Sequence, residues 1–495
     1  MSDISKYDRA FFGHPRGLST LFFTEMWERF SYYGMRALLI LFMTATAANG
    51  GLGFDVMKAG AIYGLYTSMV YMTGLPGGWI ADRFLGQRRA VLLGGIIIAL
   101  GSFCLAIHDV TTFYFGLAFI VAGSGLLKPN VSSMVGNLYS EQDRRRDAGF
   151  SIFYMGINLG ATIAPLICGY IGQKIDWHWG FGAAGVGMTF GVIQYALGGK
   201  YLGDIGLQAT KKHDSAQSTD GGRRMKLTVF IVLGFVLAGA IIWVSGILDT
   251  PLKNIITVLG FSFLALLVVG YFTWIFVTGS WNSVERKRIA VIAILFLFTS
   301  MFWAAFEQAG STLNLFADRF TQNSAFGLPF PSSWFQSVNS VFIIAFAPVF
   351  AWLWIKLGKH EPSSPGKFSL GLIFVGLGYL LLVPAAMIVI SSGGKVSPMW
   401  LVGVYLLHTF GELSLSPVGL SMVTKLAPAR ILGQMMGIWF LSISLGNFIG
   451  GQVAGLFESL PLPILFASVF GTTAGAGIIL FFLKNPIRKL MGGVN

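Results

Sequence analysis

Fourteen apolar runs recur along the chain, and they constrain its fold more than any other feature. They fall at 19–47, 57–82, 89–107, 110–138, 148–173, 179–199, 226–248, 254–277, 289–315, 334–356, 367–391, 397–426, 432–457 and 460–484. A helix of about 20 apolar residues crosses the hydrocarbon core of a bilayer. Backbone polar groups in lipid must be satisfied internally, so each run is expected as a spanning helix. Composition agrees: 54% of residues are hydrophobic and 11% charged, against about 25% charged in soluble chains. That excludes an ordinary water-soluble protein and a disordered one. The net charge of +13 does not indicate nucleic acid, because the basic residues lie in short loops between apolar runs. Cys104 and Cys168 both fall inside apolar runs and have no zinc or redox spacing.

The basic residues also set a direction. With fourteen spans, 26 of the 34 Lys and Arg share a side with the two termini, 5 lie opposite and 3 lie within spans. That bias places both termini in the cytoplasm. The polar start, with Lys6, Arg9 and Arg16, leads into the first span without a cleavage signature, so that span is expected to act as its own insertion signal. The runs divide as a six-span bundle over 1–200, a polar linker over 201–225, an inserted helix pair over 226–288, and a second six-span bundle over 289–495. The two bundles are related. Trp27, Phe30 and Gly34 recur 276 residues later as Trp303, Phe306 and Gly310. Pro129, Ser133 and Met134 recur after 288 residues as Pro417, Ser421 and Met422, and Phe153, Leu159 and Gly160 after 286 as Trp439, Leu445 and Gly446. Parallel repeats of this kind build transporters with a substrate site at mid-membrane between the halves.

Seven ionisable side chains lie where apolar ones belong: Glu25, Glu28, Arg29, Arg36, Lys128, Glu307 and Glu412. Unpaired at helix centres they would cost roughly 20 kcal/mol together, more than the usual stability of a domain. They must face one another or water, as structural ion pairs or as a functional pathway, and intramembrane charges favour the second. Glu25, Glu28, Arg29, Tyr32, Tyr33 and Arg36 follow helical spacing and line one face of the first span. Two buried carboxylates beside one guanidinium cannot both be cheaply ionised, so one of them is suited to take up a proton. Arg36 and Glu307 sit at similar depths in spans running the same way and are expected to pair.

The first span reads E-x-x-E-R-F-x-Y-Y-G at Glu25–Gly34, and FYMGINLGA follows at Phe153–Ala161. GGWIADRFLGQRR at Gly77–Arg89, GSGLLKPNVSSMVGNLY at Gly123–Tyr139, FWAAFEQ at Phe302–Gln308 and GELSLSPVGL at Gly411–Leu420 complete the set. The chain resembles, over nearly its whole length, the proton-dependent oligopeptide transporter family of the major facilitator superfamily. The inserted helix pair and the short loop at Ser391–Pro398 are similar to its prokaryotic branch. The resemblance implies an all-α integral membrane protein: two six-helix bundles plus an inserted pair, 14 transmembrane helices, in the cell inner (plasma) membrane. It implies symport of di- and tripeptides with protons by alternating access, with no cofactor beyond the proton as coupling ion. The expected partners are peptides, protons and the lipid bilayer, with no nucleic acid and no obligate protein partner.

By matching motif, Arg29 and Lys128 would hold the peptide carboxyl end, and Glu412, Asn158 and Asn339 its amino end. Tyr32, Tyr33 and Tyr71 would contact the peptide, and Trp303, Trp439 and Phe440 would line side-chain pockets. Glu25, Glu28, Arg29, Lys128 and Glu307 would couple protons, with Glu307 and Arg36 in a gate and Arg36 also at the substrate site. Plainer readings exist. The three aromatics are more often bundle packing, Asn158 above Tyr154 is as often helix glue, and the Gly156/Gly160 and Gly446/Gly450 pairs read as packing sites. Asp82, Arg83, Arg88 and Arg89 form a cytoplasmic turn, a latch or simply topology charges. Animal members carry a histidine after A-I-Y in the second span, where this chain has Gly64. His408, one turn before Glu412, reads as a packing residue. No H-E-x-x-H, G-x-S-x-G or Walker loop is present, which argues against an enzyme and against ATP-driven transport. A channel, or a carrier of nitrate or another small solute, is the remaining alternative.

Overall fold

The computed structural model describes residues 8–140, 143–207, 268–277, 279 and 281–492. The first half contains α1 (Arg16–Thr44), α2 (Val56–Met72), α3 (Gly74–Ile80), α4 (Gln87–Leu105), α5 (Val110–Asn137), α6 (Arg146–Lys174) and α7 (Trp177–Gly198). The second contains α8 (Ser283–Phe306), α9 (Thr312–Phe320), α10 (Phe335–Leu357), α11 (Ser364–Ser392), α12 (Met399–Leu426), α13 (Leu432–Gly455) and α14 (Leu462–Leu490). Each apolar run of the two bundles becomes a helix within a few residues of its expected limits, because long apolar helices are the only open-chain way to cross lipid. Ten described helical segments are long and apolar enough to do so alone. The first span falls short of that measure because of its charges, and the second because α2 stops after 17 residues. Of the expected pair at 226–277, only the helical stretch Val268–Val277 is described; the rest of it, and most of the linker, lie outside the described residues.

Short loops make successive spans antiparallel, so the bundle has a near end, where α1 begins and α14 ends, and a far end. Two spans are broken. α2 passes into α3 at Thr73, whose hydroxyl donates to the carbonyls of Met69 at 2.9 Å and Val121 at 3.1 Å. α8 gives way to a 3-10 turn, Glu307–Gly310, before α9. Each break frees backbone groups that side chains must satisfy.

α1 is buried around most of its circumference, as a helix carrying charges through its middle must be. Gly156 and Gly160 of α6 let that helix approach it: a Cβ on Gly160 would overlap the Met26 carbonyl oxygen. The halves meet closely toward the far end. Gly60 and Gly64 of α2 cross Gly451 and Gly455 of α13, and a Cβ on Gly64 would lie 2.7 Å from the Gly451 Cα. Ser68 and Ser444 hydroxyls continue that line at 2.8 Å. α6 meets the start of α10 through Gln173 to Ser332 at 2.8 Å and Ser337 to the Thr162 carbonyl at 2.7 Å.

Candidate functional site

The seven in-span charges sort into three groups. Arg29 lies between Glu25 and Glu28 on α1, with Nε 2.8 Å from one oxygen of each. All three are buried. Arg36, two turns further on, reaches across to the second half: Nη2 lies 2.8 Å from Glu307 Oε2 and donates to the Glu307 backbone oxygen at 3.1 Å. The expected pair therefore forms, and the break after α8 supplies a carbonyl that the guanidinium satisfies. Lys128 and Glu412 are left over. Among the described residues neither makes an ion pair.

Lys128 sits on α5 before Pro129. Its Nζ is buried without a hydrogen-bond partner and lies 4.4 Å from the Tyr32 ring centroid and 4.7 Å from that of Tyr71. Two aromatic faces stabilise an ammonium by cation–π attraction without neutralising it. The Tyr32 hydroxyl is likewise buried and unpartnered. Lys128 lies within electrostatic reach of Glu25, Glu28 and Arg29, as expected of a member of their cluster, but makes no direct ion pair with them; its ammonium lies over the tyrosine faces. Glu412 lies near the middle of α12 and accepts from Asn339 Nδ2 on α10 at 3.2 Å; the same amide donates to Thr409 Oγ1 at 3.0 Å. Glu412 and Tyr154 wall the deep end of a cavity of about 850 Å³ whose other end is lined by Lys359, Lys367 and the 358–364 loop. The cavity thus leads from mid-depth to the near end.

Other expected residues are placed differently. Asn158 donates to the Tyr154 carbonyl of its own helix at 3.0 Å. Trp303 and Trp439 are buried, Trp303 among Phe302 and Phe306 and Trp439 against Phe368; Phe440 is 43% exposed. Tyr33 has the Arg36 guanidinium 5.7 Å from its ring. His408 is buried beside Tyr379 and Phe306. In the near-end turn, Arg88 donates to the Gly199 and Gly203 carbonyls at the end of α7, whereas Asp82, Arg83 and Arg89 are without an ion pair among the described residues. Gly446 and Gly450 pack on α8, and Gly156 and Gly160 on α1, as expected.

Sequence reasoning missed Tyr63, whose hydroxyl accepts from Arg36 Nε at 2.7 Å, and Thr409. It also missed the crossing of Gly60/Gly64 with Gly451/Gly455. Both glycine pairs have the spacing already read as packing elsewhere, which was the available signal.

Two six-helix halves, closed on one side and enclosing charge at mid-depth, define a membrane carrier. Residues 88–464 match the profile of the POT family, and the chain belongs to that family. It is 42% identical to the peptide transporter YePEPT of Yersinia enterocolitica over 98% of this chain and 96% of that one. It is 40% identical to a di-/tripeptide transporter of Lactococcus lactis over the full length of both. A crystal structure of the peptide transporter POT in complex with sulfate superposes with a TM-score of 0.89, at 42% identity and complete coverage of both chains.

Proposed function

We propose that the chain is a symporter that brings di- and tripeptides into the cell with protons, by alternating access between its halves. One observation carries the reading: the two in-span charges left without an ion pair, Lys128 and Glu412, are opposite in sign and belong to opposite halves. A peptide zwitterion supplies a carboxylate for the first and an ammonium for the second. Nitrate, a pure anion, offers Glu412 nothing. The peptide-transporting relatives support the same substrate class. The basic-residue bias supports a cytoplasmic near end; with the chain in the inner membrane, this conformation is then closed outward and open inward.

Proton coupling falls to Glu25 and Glu28. A proton on either weakens its hold on Arg29, and the guanidinium then becomes a second donor for the peptide carboxylate beside Lys128. Binding and protonation favour one state, which symport requires. Arg36 and Glu307 gate the outside. Tyr32, Tyr33 and Tyr71 surround the cations, Asn339 orients Glu412, and Trp303 and Trp439 back the walls. The proton is the only coupling species proposed; no bond is made or broken, and no protein partner is needed.

The test is uptake of a labelled dipeptide by proteoliposomes under an imposed pH gradient. Free dipeptides compete, while dipeptides blocked at either end, and nitrate, do not. Glu25→Gln and Glu28→Gln lose gradient-driven accumulation, and at least one keeps exchange without a gradient. Equal competition by blocked and free peptides overturns the end-reading model; full accumulation in both variants removes these acids from coupling.

A further inference from the structure

A second large cavity lies away from the charges. It is an apolar groove of about 760 Å³ walled only by helices of the first half: α1, α4, α6 and α7. Its floor includes Gly160 and Gly182, and its walls include Ile167 and Phe190. Ile167 and Phe190 are 44% and 52% exposed, so the groove opens on the flank that a spanning bundle turns toward lipid. Its polar groups are confined to the far end. There His108 Nε2 lies 3.9 Å from Asp176 Oδ2, the His108 and His178 ring centroids are 3.6 Å apart, and Trp179 stands exposed. Along α7 the groove runs from His178 to Phe190, about 18 Å at 1.5 Å per residue. That is close to one leaflet, half of the ~30 Å hydrocarbon core.

We propose that one acyl chain of a phospholipid in the far-side leaflet seats in this groove, with its head group at the level of His108 and Asp176. A polar mouth at the interface and an apolar trough one leaflet deep match an amphiphile, and the membrane surrounding this flank supplies it. The chain would lie against Trp27 and Phe30, on the back of the helix whose front carries Glu25, Glu28 and Arg29. Lipid then braces α1 against α6 and α7. The inference needs only the membrane location, not the identity of the substrate.

The experiment uses the full chain in phosphatidylethanolamine/phosphatidylglycerol vesicles doped with a phospholipid bearing a diazirine in mid-chain. After irradiation, labelled peptides are mapped by mass spectrometry. Label concentrates on 163–171 and 182–190 relative to the exposed residues Ile478, Ile479, Phe481 and Phe482 of α14, which report general lipid contact. Gly182→Phe fills the groove: a Cβ there meets only the Ala106 methyl, at 3.7 Å. Ile167→Trp fills it from the opposite wall. Each variant that still takes up dipeptide loses the concentration of label and keeps the α14 signal. Equal label density on α7 and α14 in the wild type means surrounding lipid only and overturns the proposal. So does undiminished concentration in either filled variant.

Discussion

The far-end seam and the charged groups at mid-depth belong to the same two halves, yet they treat charge in opposite ways. At the seam Arg36 is neutralised by Glu307 and tied to Tyr63, while glycine backbones of α2 and α13 touch. The seam satisfies itself. At mid-depth Lys128 and Glu412 lack an ionic partner among the described residues, and each is held by neutral groups, tyrosine faces or an amide. A contact complete within the protein closes by itself; on the proposed reading, charges of both signs held outside any ion pair are completed by a zwitterion. The proposed function assigns gating to the first and recognition to the second, and mutations should separate them.

The largest effect is expected at mid-depth. Truncating one partner of a buried, hydrogen-bonded charge pair costs about 2–5 kcal/mol. Lys128→Ala and Glu412→Ala should each weaken dipeptide binding about 30-fold or more, measured by titration calorimetry in detergent, where no gradient is needed. The seam variants below should change affinity far less. Wild-type affinity in both truncations would erase the distinction between the two regions.

At the seam, removing Arg36 or Glu307 leaves one buried charge without its partner, a loss of roughly 3–5 kcal/mol to the closed state. Arg36→Ala and Glu307→Ala should both cut transport. The charge-swapped double variant should regain part of it, with a coupling energy of about 0.5–3 kcal/mol in the double-mutant cycle. Additive losses would mean that the pair observed at 2.8 Å is not what closes the outside.

How much of this was legible in the sequence follows from the physics of each feature. Span limits were, since lipid imposes a length on any apolar helix, and α10 and α12 fall within two residues of their expected starts. The Arg36–Glu307 pair was, because depth along two co-directional helices can be counted. The placement of Lys128 was not. A sequence shows that a lysine lies in a span, but which tyrosine faces it lies over, and whether it reaches a carboxylate closely enough to pair, depends on how α5 is rotated against α1. Trp303 and Trp439 were ambiguous for the same reason. The break at Glu307 was hidden too, because its one glycine, Gly310, reads equally well as part of the internal repeat; its freed carbonyl is paid for by a side chain 271 residues away.

A smaller effect sharpens the seam. On Gly64 an added methyl would lie 2.7 Å from the Gly451 Cα, a backbone atom that cannot swing aside. Overpacking of that kind costs about 1–3 kcal/mol. Its nearest neighbours belong to the other half, so the cost falls on closure rather than on the folding of either half. Gly64→Ala should shift the population toward an outward-open state by about 5- to 150-fold, read as a longer spin-label distance between the far ends of α2 and α13, with little change in Tm. An unchanged distance distribution would show that the glycine crossing is not needed for closure. By the same steric argument a histidine side chain at Gly64 would not fit between α2 and α13 as they cross here.

The smallest expected effect belongs to His408, and it tests the division from the other side. With no histidine in the second span, proton coupling falls either to the acids of α1 or to this imidazole. His408 is buried between Tyr379 and Phe306, with ring centroids 5.4 and 6.0 Å away, and its Nε2 has no hydrogen-bond partner. Charging an imidazole in that setting would place a cation in packed aromatics with no anion paired to it, which is costly. The ring therefore works as a planar filler, and a phenyl ring of similar shape should replace it. His408→Phe should keep gradient-driven dipeptide accumulation and its pH profile, with at most a modest change in thermal stability, while Glu28→Gln loses accumulation under the same conditions. A variant that folds, exchanges peptide and yet cannot accumulate it would move the coupling proton from α1 of the first half to α12 of the second.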